Sequence, residues 1–163
     1  MTVTSVEKDY DNLQLVLTAE FSASIEQVWE LWADPRKLER WWGPPTYPAT
    51  FVEHDLTPGA IATYYMTSPE GEKHYGWWQI TAVSPPTTIV FNDGFGDQDG
   101  NPAEGMPVGE TRLELAETAT GTRMTLIGQN STLEQFNMVL EMGMEEGITA
   151  SVGQMDAILA EGA

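Results

Sequence analysis

The C-terminal stretch, residues 130–163, constrains the fold more than any other part of the chain. Ser131 is followed three residues later by Glu134, the capping-box spacing that begins a helix. Apolar residues then recur at steps of four, four, three and four, which forms one stripe along a helix. A glycine at 143 costs a helix roughly 1 kcal/mol relative to Ala. The pattern predicts a short helix over about 132–141, a bend near Gly143 and a main helix of about 25 Å that needs an apolar surface to lie on. The stripe consists of Met144, Ile148, Val152, Met155 and Leu159.

Composition narrows the class of protein. A chain of 163 residues is long enough for a substantial core, and we predict a single domain over residues 1–163. The formal net charge of −18 argues against nucleic acid and anionic membranes as partners, because both require a basic surface. The chain has no Cys, which excludes disulfides and thiolate metal sites. It also shows no secretory leader pattern and no long apolar run, so we predict an acidic, soluble, cytoplasmic protein without membrane insertion.

Hydrophobic periodicity in the rest of the chain predicts one strand, two short helices and then six strands. Residues 1–12 are polar and are expected to form a loose N-terminal lead-in. Apolar residues alternate over 13–21 as a strand, and Ser22 or Ser24 then caps a helix. The other predicted segments are a helix over about 36–42, strands near 50–56, 60–67, 73–83, 88–92, 111–115 and 124–128, and an acidic loop over 93–109.

This order of elements predicts the architecture. Strands joined by short turns form an antiparallel meander with one apolar face, and such a sheet twists and curls. The striped C-terminal helix fits the concave side, and the two short helices close one end. We therefore predict an α+β, helix-grip fold, in which a curved antiparallel sheet of about seven strands wraps around a long C-terminal helix, with two short helices after strand 1.

Several motifs resemble one known domain. The run FSASIEQVWELWADP over residues 21–35 and the segment Trp41-Trp42-Gly43-Pro44 resemble the opening of the domain found in activators of Hsp90 ATPase. A segment over 55–59 looks like the strand–turn element of that family, although Thr57 and Ala60 replace its usual Arg and second Gly. The segments 66–71 and 121–125 also resemble this family, which is part of the START-like (SRPBCC) superfamily. The segments 142–147 and 93–95 are similar to a bacterial stand-alone subgroup of it.

The resemblance implies a helix-grip fold with an apolar cavity between the sheet and the C-terminal helix. Members of this superfamily include co-chaperone domains with roles in the stress response, lipid and polyketide binders, and cyclases. Because one fold hosts many functions, the resemblance leaves the function open.

The aromatic and methionine residues are the candidate site. Strand alternation directs Tyr64, Met66, Trp78 and Phe91 to one face, which suits a pocket for apolar or aromatic ligands. The predicted ligand-binding set adds Trp42 at the pocket mouth, His54 as a polar group, Phe95 in the acidic loop beside the entrance and Met142 on the helix. We predict binding of a hydrophobic or aromatic small molecule, without catalysis, cofactor or metal.

Two alternatives use the same chain differently. A polyketide cyclase-like enzyme would use Tyr64, Tyr65, His54 or Glu53 as polar groups in the cavity. A co-chaperone-like module would bind another protein, and the acidic surface could bind a basic partner. Whether the chain forms a homodimer or has a protein partner stays open at this point.

Overall fold

The computed structural model describes residues 3–161, and this part of the chain folds as one sheet with helices on its concave side. None of the helices in it is long and apolar enough to cross a membrane. The strands are β1 (Val3–Asp9), β2 (Gln14–Phe21), β3 (Ala49–Glu53), β4 (Ile61–Thr67), β5 (Lys73–Ser84), β6 (Thr88–Phe95), β7 (Val108–Thr118) and β8 (Gly121–Gln129). The helices are α1 (Ile25–Ala33), α2 (Pro35–Leu38), α3 (Leu133–Glu141), α4 (Met144–Val152) and α5 (Met155–Glu161).

All neighbouring strands in the sheet are antiparallel, in the order β1-β2-β8-β7-β6-β5-β4-β3. Strands β3 to β8 form the predicted meander, and β2 closes against β8. The helix-grip prediction is therefore confirmed, with eight strands instead of about seven.

The additional strand corrects the expectation of a loose lead-in over residues 1–12, of which residues 3–9 form β1. β1 is an edge strand that pairs with β2 through a ladder with one irregularity between Val3 and Ser5. Only Val3, Val6 and Asp9 are half-buried in it, and its other residues are exposed. A strand held mainly by backbone hydrogen bonds at a sheet edge carries little apolar alternation, so periodicity did not reveal it.

The helix pair after β2 starts at well-formed caps. Ser24 and Gln27 make a capping box at the start of α1, and Asp34 caps α2 through the Arg36 amide. α2 ends at Leu38, earlier than predicted, and residues 39–43 continue as turns. One face of α1 is buried against the sheet and carries Ile25, Val28, Leu31 and Trp32.

The C-terminal stretch bends at Gly143, as predicted, because this residue adopts a left-handed conformation with φ of 88°. A second break at Gly153 divides the predicted main helix into α4 and α5. Side-chain hydroxyls of Thr149 and Ser151 bond to carbonyls four residues earlier, which favours bending. Gln154 then holds the break by donating from Nε2 to the Gly43 carbonyl at 2.7 Å.

The largest part of the core is an aromatic cluster between α1, α2 and the sheet. Trp78 and Phe91 stack with ring centroids 4.1 Å apart, and Trp42 meets Trp78 edge-on at 4.8 Å. Trp32 contacts Trp41 edge-on at 4.8 Å. These side chains fill the concave side at the end of the sheet that α1 and α2 cover, and the other end stays hollow.

Candidate functional site

A partly open cavity of about 360 Å³ lies between the concave face of the sheet and the helix bend at Gly143. The sheet contributes residues from β2 and from β4 to β8, and the helices α3 and α4 cover them. Its walls are largely apolar. The apolar lining includes Leu15, Leu17, Met66, Phe95, Leu126, Val139, Met142, Met144 and Ile148.

Glycines on three strands leave room for the cavity. The strand register directs Gly76, Gly109 and Gly128 to the concave face. A Cβ at Gly76 would collide with the ring of Tyr64, so the Tyr64 side chain lies flat on this glycine. At Gly128 a Cβ would meet only the Leu15 carbonyl, at 3.8 Å. At the cavity end of the sheet, glycines therefore occupy concave positions of the kind that large aromatic side chains occupy at the other end.

Five of the predicted site residues line the cavity and three do not. The lining includes Trp42, Tyr64, Met66, Phe95 and Met142. A role for these five in binding a ligand stays a prediction. Among the three that lie elsewhere, Trp78 and Phe91 are completely buried in the aromatic cluster. His54 is placed at the end of β3, outside the lining.

Trp78 and Phe91 face the concave side, as their alternation predicted, but at the wrong end of it for a pocket. α1 brings Trp32 within 6.2 Å of the Trp78 ring and 6.5 Å of the Phe91 ring, measured between centroids. Alternation gives the face of a strand and says nothing of which helix covers each position along it. Both residues are therefore core and not cavity wall.

His54 links β3 to the end of α1. Its Nε2 lies 2.9 Å from the Trp32 carbonyl, and its ring packs edge-on against Phe51 and Trp78. Burial lowers the pKa of His54, which favours the neutral imidazole at pH 7. This side chain stabilises the core and does not serve as the predicted polar group of the pocket.

The side chains of the enzyme alternative do not converge in the cavity. Of its four candidates, only Tyr64 is in the lining. Glu53 is exposed at the end of β3, and Tyr65 lies on the opposite face of β4, against Tyr75 and Lys73. Within residues 3–161, no group of three or more His, Cys, Asp or Glu side chains could hold a metal ion.

Asp93 is the acidic side chain among several cavity residues that the sequence analysis did not assign to the site. It lies on β6 two residues after Phe91, and its register with Trp78 directs the carboxyl to the concave face. The Thr111 hydroxyl donates to Asp93 Oδ1 over 3.3 Å. Protein surrounds this residue, and the accessible surface that it retains faces the cavity that it lines. The alternation of Ile89, Phe91 and Asp93 was the signal that could have identified it.

Burial dominates the electrostatics of the polar groups in the cavity. It raises the pKa of Asp93 to about 7, although the Thr111 hydrogen bond acts in the opposite direction. Burial also raises the pKa of the Tyr64 phenol, and the nearby Asp93 carboxylate adds to that effect. The indole N–H groups of Trp42 and Trp78 are close enough to the Tyr64 hydroxyl to lower its pKa, but neither makes a hydrogen bond of good geometry.

Comparisons with known proteins give a consistent result. The family model described as "Activator of Hsp90 ATPase homolog 1-like protein" matches residues 22–160. A crystal structure of a Mycobacterium smegmatis protein is 47% identical, with a TM-score of 0.89 and 96% coverage of both chains. A solution structure of an Arthrobacter aurescens protein is also 47% identical, with a TM-score of 0.93 and coverage of 98% of this chain and 93% of that one.

A more distant relative has the same fold. The crystal structure of a Silicibacter pomeroyi protein, described as AHSA1, is 26% identical, with a TM-score of 0.74 over 92% of this chain and 99% of that one. No functionally curated protein matches the chain.

Proposed function

This chain belongs to the Activator of Hsp90 ATPase homolog 1-like family, and from that premise we propose that it binds an apolar or aromatic small molecule in the cavity under α3 and α4. The observation that carries the proposal is the cavity itself. Its volume of about 360 Å³ is large enough for a molecule with two fused rings, and ligand pockets typically measure roughly 300–1,000 Å³.

The composition of the walls supports an apolar ligand. The aliphatic side chains of Leu15, Leu17 and Leu126 lie on the sheet side, and Met142 and Met144 lie on the helix side. Methionine is flexible and polarizable, so these two side chains can adapt to the outline of a bound molecule. An apolar void of this kind gains free energy by accepting an apolar guest.

The same walls favour binding over catalysis. The polar groups of the cyclase alternative are dispersed, with Tyr64 in the cavity and His54 bound to a backbone carbonyl of the core. A general acid or base must lie within hydrogen-bonding reach of the proton that it transfers, and of these candidates only Tyr64 can reach a molecule in the cavity. Cytoplasmic location, a homodimer and a protein partner remain predictions from the sequence.

Gly147 offers a direct test of the cavity. It lies on α4 in the cavity lining, and a Cβ at this position would meet nothing within 4 Å. A replacement side chain therefore begins in open space, on the helix face that carries Met144 and Ser151 of the lining. Ala150, on the exposed side of the same helix and outside the lining, is the matched control position.

The experiment titrates the neutral fluorophore N-phenyl-1-naphthylamine into the wild-type protein, Gly147→Phe and Ala150→Phe. We expect one saturable site in the wild type and in Ala150→Phe, and loss of that site in Gly147→Phe. Circular dichroism and thermal melting establish that both variants are folded. Unchanged binding in a folded Gly147→Phe protein would show that the fluorophore binds elsewhere and would contradict the proposal.

A further inference from the structure

We propose that the ligand carries a polar group that donates a hydrogen bond to Asp93, a hydroxyl or a protonated amine, and that the cavity rejects carboxylic acids. This inference rests on the proposed function and adds the chemical class of the ligand. It starts from the polar end of an otherwise apolar cavity, where Asp93 lies beside Thr111 and Tyr64.

The Asp93 carboxylate has unused hydrogen-bonding capacity. Oδ1 accepts one long hydrogen bond, from Thr111. Within the part of the chain that the structure describes, Oδ2 accepts no hydrogen bond, and this oxygen is not completely buried. It therefore contacts the cavity. Removing a carboxylate oxygen from bulk water without giving it a hydrogen-bond donor costs free energy. A ligand that supplies the donor therefore binds more tightly.

No cation in the lining neutralises Asp93. The residues around the cavity in the described structure include no Lys or Arg, and His74 is their sole basic side chain. Glu110, which precedes Thr111 on β7, is exposed and alternates to the opposite face of the sheet, so its charge lies outside the cavity. A carboxylate ligand would bring a further negative charge into this environment, on a chain whose net charge is already −18. At pH 8, where Asp93 is mainly ionised, like charges in a poorly solvated site repel strongly, which disfavours fatty acids and aromatic acids as ligands.

The sheet leaves space beside the carboxylate. Gly109 pairs with Asp93 across β6 and β7, and a Cβ at this glycine would lie 3.6 Å from Asp93 Oδ1. Without that side chain, a ligand group can approach the carboxylate from the β7 side. The apolar body of the ligand then extends toward Leu126, Met142 and Ile148, which line the same cavity.

The experiment compares four probes with one ring system: naphthalene, 2-naphthol, 2-naphthylmethylamine and 2-naphthoic acid. Each displaces N-phenyl-1-naphthylamine from the protein at pH 8. We expect the alcohol and the amine to bind about tenfold more tightly than naphthalene, and the acid to bind more weakly than naphthalene. If the acid binds as well as the amine, or if all four bind equally, the assignment of Asp93 is wrong although the cavity still binds ligands.

Asp93→Asn and Glu110→Gln separate Asp93 from general electrostatics, because each removes one negative charge, the first inside the cavity and the second on the outer face of β7. Asp93→Asn should remove the preference for the amine over the acid, whereas Glu110→Gln should retain it. The same loss in both variants would assign the preference to net charge and overturn the proposal. Failure of all four probes to bind, naphthalene included, would overturn the proposed function and this inference with it.

Discussion

Replacing Asp93 by Asn should stabilise the protein above pH 7 and should have little effect near pH 4. Burial raises the pKa of the Asp93 carboxyl from the ordinary 3.8 to about 7. Between these two values the folded state holds a proton that the unfolded chain has released. The free energy of unfolding therefore decreases as pH rises through this interval, because the folded state binds more protons than the unfolded state. Asn carries no charge and does not contribute this decrease.

The difference of about three pKa units sets the size of the effect. At about 1.36 kcal/mol per unit, it corresponds to at most about 4 kcal/mol at pH 8. Water that enters the partly open cavity solvates the carboxylate and reduces the penalty, so we expect a gain of about 2 kcal/mol for the variant. The Thr111 hydroxyl, which donates to Asp93 Oδ1, can donate equally to the Asn carbonyl oxygen.

The assay measures urea unfolding of the wild type, Asp93→Asn and the control Asp99→Asn at intervals from pH 4.5 to 8.5. Asp99 lies exposed in the loop after β6, and its replacement controls for the loss of one negative charge from the chain. The other titratable groups of the lining are present in all three proteins, so their contributions cancel in the comparison; they are Tyr64, His74, Tyr75 and Glu110. A stability difference that does not change with pH, or a variant less stable than the wild type at pH 8, would refute the reasoning.

Further predictions concern the helices and the surface charge. Gly147→Ala should add about 1 kcal/mol to the free energy of unfolding, since Ala is the better helix former. Gly153→Ala should add less, because the new Cβ would lie 3.3 Å from the Thr149 carbonyl oxygen. A larger gain at 153 would contradict this. Gln154→Ala should cost about 1–2 kcal/mol in urea unfolding, because Gln154 bonds the Trp41 and Gly43 carbonyls; a loss near zero would show that the second helix break does not need it. The melting temperature should rise with added NaCl, because salt screens the repulsion within a chain of net charge −18; an unchanged value up to molar salt would argue against self-repulsion.

The overall architecture could be predicted because each of its parts carries a local signal. Ser24 with Gln27, and Gly143 with its left-handed conformation, mark helix boundaries through short-range hydrogen bonds and backbone geometry. The strands of the meander are recognisable in the sequence because one face is buried, so apolar and polar residues alternate along each strand. β1 lacks that signal, and the break at Gly153 depends on Gln154 reaching carbonyls more than a hundred residues away, as in its bond to Gly43.

The location of the cavity was harder to predict, because it depends on contacts between elements that are distant in the sequence. Alternation placed Tyr64, Trp78 and Phe91 on one face, but only the tertiary structure shows that Trp32 covers two of them. Asp93 was assigned to an acidic loop because it follows the expected end of a strand. β6 in fact continues to Phe95, which turns Asp93 inward.

Affinity and selectivity have different sources in this cavity. Removing about 200 Å² of apolar ligand surface from water contributes about 5 kcal/mol, and any ring system of the right size obtains it. One hydrogen bond to a charged acceptor contributes about 1.5–3 kcal/mol and is obtained only by a donor. Filling the void from Gly147 should therefore weaken every apolar ligand alike, while Asp93→Asn should leave naphthalene binding unchanged and alter the order of its derivatives. A variant of Asp93 that lost naphthalene as well would show that the carboxyl maintains the shape of the cavity and does not select its ligand.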